Sequence, residues 1–199
     1  MTTIVAVKKH GRTCIVSDSQ TTYGARKETR ENLIVNSSKL FFWENAIIGF
    51  SGSSTWKHAF LDFLHLQKTP AQRIKGSLQL LPSSPETVLS SFSKLWRSFR
   101  SHYLLTPVSD KNSQYFSCCR ILVATRQNIF KLTIEGGVVC NENMAAIGSG
   151  LPFAYGAMRA VDGFIESPLE LARYCFLMMV LQKSLYNQCG LSHTGRLRS

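Results

Sequence analysis

Thr2 is the residue with the most chemistry in reach, because trimming of the initiator Met1 places a hydroxyl and a free α-amine on one residue. A threonine hydroxyl is a weak nucleophile at neutral pH. An α-amine titrates near ~7.7–8.0 and is a suitable proton acceptor, so an N-terminal threonine carries its own base. Four further groups lie far apart in the chain: Asp18, Lys39, Gly52 in Ser51-Gly52-Ser53-Ser54, and Ser149 in Ile147-Gly148-Ser149-Gly150. Singly, each has a plain structural reading. Thr2 starts an edge strand, Asp18 is a turn acid, Lys39 is one of 23 basic residues, Gly52 is a turn glycine and Ser149 caps a helix.

The elements that must position these groups follow from periodicity. Thr2 to Val7 alternates, His10-Gly11 reads as a tight turn and Thr13 to Asp18 resumes the apolar pattern, giving a β-hairpin that brings Asp18 beside the start of the first strand. Ser19 to Ser38 is polar and reads as a long loop, with a short strand at Leu33 to Val35. Lys39 opens a second hairpin: Lys39 to Trp43, a turn at Glu44-Asn45, and Ala46 to Phe50. The serines that follow read as an N-cap for a helix with Trp56, Phe60, Phe63 and Leu64 on one stripe. A Ser83/Glu86 capping box starts a second helix carrying Val88, Phe92, Leu95, Trp96, Phe99 and Tyr103. Strands resume at Cys118–Thr125, Ile129–Ile134, Val138–Cys140 and Met144–Ile147. Helices over Pro152–Phe164 and Pro168–Tyr186 follow, and residues 192–199 form a polar tail.

Strands, two helices, strands and two helices imply an α+β fold: a four-layer αββα sandwich of two antiparallel sheets flanked by helices, over a single domain at 1–191. A chain of 199 residues, 44% apolar, suits one such core. The net charge of +11 is scattered among acidic neighbours and accompanied by no nucleic-acid motif, so no nucleic-acid partner is expected. The six cysteines show no C-x-x-C pair and no zinc spacing, so neither metal nor cofactor is expected. No apolar run reaches the ~18 residues of a membrane span, and Lys8 and Lys9 are wrong for a signal peptide, which points to a cytoplasmic protein without a membrane partner.

Five stretches together resemble the proteasome β-subunit family of N-terminal nucleophile hydrolases: Thr2 to Val7, Ser17-Asp18-Ser19-Gln20-Thr21-Thr22-Tyr23-Gly24, the Lys39 strand, Gly49-Phe50-Ser51-Gly52-Ser53 and Ile147-Gly148-Ser149-Gly150. The likeness is greatest to its bacterial members, the HslV peptidase and the beta-proteobacterial proteasome homologues. It runs through roughly residues 1–55 by motif and 118–180 by element order, whereas 67–115 match only as helices. The resemblance implies a threonine peptidase acting on peptides or unfolded proteins inside homo-oligomeric stacked rings, with an ATPase unfoldase as partner. It implies Thr2 as nucleophile, Lys39 as a fixed charge against the Thr2 hydroxyl and Asp18 as the acid holding Lys39. It further implies the Gly52 N–H as oxyanion donor and Ser149 as a hydrogen-bond partner near the Thr2 amine. On the substrate side it implies the Thr22 backbone as a docking strand, with Phe50 and Ser54 lining the specificity pocket.

One departure bears on mechanism. The family carries an acid in its last helix that supports the terminal amine, but Cys175 to Cys189 contains no Asp or Glu and offers Gln182, Lys183 and Ser184 instead. Two alternatives therefore stand beside the peptidase: a catalytically silent ring subunit of the same fold, and a small-molecule amidase of the N-terminal nucleophile class.

Overall fold

His10 and Gly11 both take positive φ, 49° and 70°. That is the geometry of a two-residue hairpin turn whose twist matches its flanking strands. The turn joins β1 (Thr3–Lys9) to β2 (Arg12–Ser17) in register, with Ile4 opposite Ser17 and Lys9 opposite Arg12. A computed structural model describes residues 2–18, 21–23, 26–28, 38–43, 46–52, 54–66, 85–103, 119–133, 137–141 and 143–188. Beyond the first hairpin it contains β3 (Thr21–Tyr23), β4 (Arg26–Glu28), β5 (Leu40–Trp43), β6 (Ala46–Ser51), α1 (Ser54–Leu66) and α2 (Pro85–His102). The second half contains β7 (Arg120–Ala124), β8 (Ile129–Thr133), β9 (Val138–Asn141), β10 (Met144–Gly148), α3 (Leu151–Val161) and α4 (Pro168–Gln188).

The strands form a three-stranded sheet, β10-β1-β2, and a five-stranded sheet, β5-β6-β7-β8-β9, each antiparallel throughout. Period-two alternation sorts their side chains into three cores. From β1, Ile4 and Ala6 point between the sheets, where they meet Leu122, Ala124, Ile129, Ala145 and Ile147. Val5 and Val7 point the other way, onto Ala154, Met158, Leu171, Ala172 and Cys175 of α3 and α4. The outer face of the five-stranded sheet sends Ile48, Phe50, Ile121, Val123 and Phe130 against α1 and α2. The arrangement is the expected αββα sandwich. Among the described residues, no helix is long and apolar enough to cross a membrane.

The expectation of a long loop from Ser19 to Ser38, with a strand only at 33–35, needs correction, because β3 and β4 pair within it, Thr22 opposite Lys27. Thr-Thr-Tyr against Arg-Lys-Glu offers no apolar alternation by which these strands could be read from the residues. The strand expected at 33–35, the Glu44-Asn45 turn, the Ser83 cap and the 192–199 tail lie outside the described residues. The last two helices run Leu151–Val161 and Pro168–Gln188, so the first stops short of Phe164 and the second continues past Tyr186.

The aromatic stripes of α1 and α2 form one cluster centred on Phe99. Its buried ring lies 5.4 Å from Phe60, 5.2 Å from Trp96 and 5.5 Å from Phe63. Edge-to-face and tilted geometries at these separations add to the area buried. Phe99→Ala is expected to cost about 3–5 kcal/mol, read as a lower urea midpoint at unchanged slope in circular dichroism.

Candidate active site

β1 is the central strand of the three-stranded sheet, so its N-terminal end is flanked on both sides. Thr3 pairs with Gly148 of β10, and Ile4 pairs with Ser17 of β2. Asp18, the residue after β2, is thereby carried alongside Thr3 and clamps it. The Asp18 amide donates to the Thr3 carbonyl at 3.2 Å, and the Thr3 amide donates to Asp18 Oδ1 at 2.8 Å. The second carboxylate oxygen, Oδ2, accepts from Lys39 Nζ at 2.6 Å. Lys39 comes from the other sheet, at the start of β5. Both members of this pair are nearly withdrawn from solvent, with side chains 8% and 11% exposed.

Lys39 reaches across because its strand is tied down and its neighbour is small. The Phe50 amide donates to the Lys39 carbonyl at 2.9 Å, extending the β5–β6 ladder to the site. Behind it, a side chain at Gly49 would place Cβ 2.9 Å from Ile4 Cγ2, so glycine is what permits the two sheets to approach here.

Two other glycines shape the site through conformations that side chains rarely adopt. Gly148, at φ 96°, passes so close to Thr2 that an added Cβ would fall 2.1 Å from its carbonyl oxygen and 3.2 Å from Ser51 Oγ. Gly52, at φ 137°, leaves no room for a Cβ beside Cys119 Sγ, 2.6 Å away. The backbone turn at Gly52 is therefore determined from beneath by Cys119. Ser51, buried, joins the two glycine turns.

Thr2, Asp18, Lys39 and the Gly148–Gly150 turn are thus neighbours. The Gly150 amide approaches the Thr2 carbonyl at 3.5 Å. Ser149 is exposed in that turn and is not the helix cap, because Gly150 occupies the N-cap of α3. Thr22 is the middle residue of β3, in a ladder separate from both sheets. Ser54 opens α1, two residues beyond Gly52.

Phe50 requires correction. Expected to line a specificity pocket, it is 3% exposed and packs in the helix-covered core, 6.4 Å from the Phe60 ring. Alternation along β6 turns it away from the inter-sheet side and toward α1. Lys27, which read as loop, lies in β4.

Three participants escaped the sequence reading. Thr3 supplies the backbone groups that hold Asp18, and its own buried hydroxyl has no partner among the described residues. Gly148 had a signal in Gly-Ser-Gly, whereas Ser51 had none beyond its place next to Gly52. Burial pushes the Cys175 thiol up to about 11 and also raises Cys14, so neither of these two is an activated nucleophile. Among the described residues, no group of His, Cys, Asp and Glu is arranged to hold a metal.

Comparison with known proteins finds similar sequences and a similar fold. The ATP-dependent protease subunit HslV of Wolinella succinogenes is 33% identical over 184 residues, covering 89% of this chain and 88% of that protein. HslV of Syntrophobacter fumaroxidans is 27% identical over 161 residues, covering 80% and 76%. Among solved structures, Thiobacillus denitrificans BPH in complex with epoxomicin has the same fold. It superposes with a TM-score of 0.71 at 23% identity, covering 89% of this chain and 88% of that one. No family model matches the chain.

Removing one partner of a buried ion pair is strongly destabilising, whereas replacing both by apolar residues is often neutral. Asp18→Ala is accordingly expected to lower unfolding free energy by about 3 kcal/mol. The Asp18→Ala/Lys39→Met double variant should recover part of that loss in the same denaturation assay.

Proposed function

Because this chain belongs to the HslV-like, proteasome β-type family, we propose that it is a threonine peptidase whose nucleophile is Thr2 after removal of Met1. The observation that carries the reading is the Asp18 carboxylate, which bonds the Thr3 amide and the Lys39 ammonium at once, next to the candidate nucleophile. Such a carboxylate compensates a buried lysine and aligns it with the start of β1.

In the proposed reaction the Thr2 Oγ attacks the scissile carbonyl carbon while the Thr2 α-amine takes the hydroxyl proton. The carbonyl oxygen becomes an oxyanion that accepts a hydrogen bond from the Gly52 N–H. One such donor typically contributes about 2.7–4 kcal/mol to the transition state. Collapse breaks the C–N bond, and the departing amine takes the proton from the Thr2 amine. Water activated by the same amine then cleaves the Thr2 ester and restores the hydroxyl. The fixed positive charge of Lys39 favours the unprotonated amine and the developing negative charge. In this reading Ser149, exposed in the turn that follows β10, bonds near the amine. The substrate is an extended peptide or unfolded protein, taken as an added strand beside Thr22, with Ser54 at the pocket.

Homo-oligomeric rings and an ATPase partner belong to the same proposal, supported by relatives named as subunits of an ATP-dependent protease. So does a cytoplasmic site of action. A second reading, the silent ring subunit, is favoured by one specific feature: Cys175 to Cys189 holds no acidic residue to support the amine.

An intact-mass spectrum with a peptide-epoxyketone probe separates the two, since that probe needs both the hydroxyl and the free amine. The peptidase reading expects loss of Met1 and one probe per chain. Retained Met1, or a trimmed chain that stays unlabelled, transfers the assignment to the silent subunit. Thr2→Ala is expected to lower peptide hydrolysis by at least about a thousandfold with unchanged size-exclusion behaviour.

A further inference from the structure

α1 starts two residues beyond Gly52 and brings a second lysine under the site. Lys57 is 7% exposed, as buried as Lys39. Its Nζ donates to the carbonyl of Ser38 at 3.2 Å. Ser38 immediately precedes Lys39 and folds back on Leu40, donating its hydroxyl to the Leu40 carbonyl at 2.7 Å and accepting from the Leu40 amide at 3.3 Å. The corner Ser38-Lys39-Leu40 is therefore gripped at three points. Lys57 holds it from α1, the Phe50 amide holds the Lys39 carbonyl from β6, and Asp18 holds the Lys39 ammonium from the opposite sheet.

The charge on Lys57 has a cost. Burial first, and the neighbouring Lys39 ammonium second, hold it below the ordinary lysine range. A base whose folded-state value is depressed binds its proton less readily when folded. At neutral pH, where the unfolded chain is protonated, its charge therefore works against folding. The favourable contribution of the ammonium is local: it joins α1, which begins at the Gly52 turn, to the corner that carries Lys39.

We propose that Lys57 is a positioning residue, pinning the Ser38 carbonyl to α1 so that the Gly52 turn and the Lys39 ammonium are held as one unit. Only its catalytic consequence rests on the threonine-peptidase reading; the positioning itself does not.

Lys57→Met and Lys57→Arg test it in the full-length protein. In Lys57→Met the Phe50 amide, which donates to the Lys39 carbonyl, is expected to exchange with deuterium about tenfold faster, at an unchanged or raised melting temperature. Lys57→Arg should restore slow exchange. For hydrolysis of a fluorogenic peptide, kcat should fall about tenfold in the methionine variant, with KM nearly unchanged and recovery in the arginine variant. Wild-type exchange at Phe50 in Lys57→Met would overturn the proposal. So would a lowered melting temperature with uniformly faster exchange, which marks an ordinary packing role. Should the wild type neither hydrolyse peptide nor take the epoxyketone, the peptidase reading fails while the exchange measurement still decides the positioning.

Discussion

The Asp18 carboxylate, shared between the Thr3 amide and the Lys39 ammonium, is the contact on which the site depends. Asp18 and Thr3 belong to the three-stranded sheet and its edge, Lys39 to the five-stranded sheet, so this one group closes the sandwich at its functional end. A carboxylate buried there on its own would be costly; paired with an ammonium and a backbone donor it is satisfied. Lys39, in turn, is anchored through its backbone as well as its charge, by the Phe50 amide on one side and the corner at Ser38 on the other.

That closure requires sheets that come close together. The core between them is aliphatic, with Ala6, Ala124 and Ala145 interspersed among Ile4, Ile15, Leu122, Ile129 and Ile147. Gly49 removes the last obstacle, at Ile4. The large rings are placed elsewhere. Phe60, Phe63, Trp96 and Phe99 all lie between the five-stranded sheet and its helices, where bulk separates layers without moving the site. The division is one of composition: aromatic packing under the helices, aliphatic packing between the sheets, with Lys39 reaching Asp18 from one sheet to the other.

Backbone conformation completes the arrangement. Gly148 and Gly52 hold φ values of 96° and 137°, and a side chain at either would collide with Thr2 or Cys119. The Gly148 turn brings its backbone against Thr2, at the start of β1. The candidate site thus combines main chain with few side chains that a search for catalytic types would single out.

Much of the architecture was legible from local pattern. Strand alternation, the aromatic stripes of the helices and the order of elements determined the four layers, because burial on one or both faces writes its period directly into the chain. The meeting of Asp18 with Lys39 was legible only by spacing and resemblance, since an acid at a turn and a lysine among 23 each have ordinary explanations. Tertiary structure alone decided the rest. It turned Phe50 into the helix-covered core, paired β3 with β4 where the residues show no apolar alternation, put Gly150 at the cap in place of Ser149, and brought Lys57 to Ser38. These outcomes depend on which face of a strand meets which layer and on contacts between residues distant in the chain, and neither leaves a local period to read.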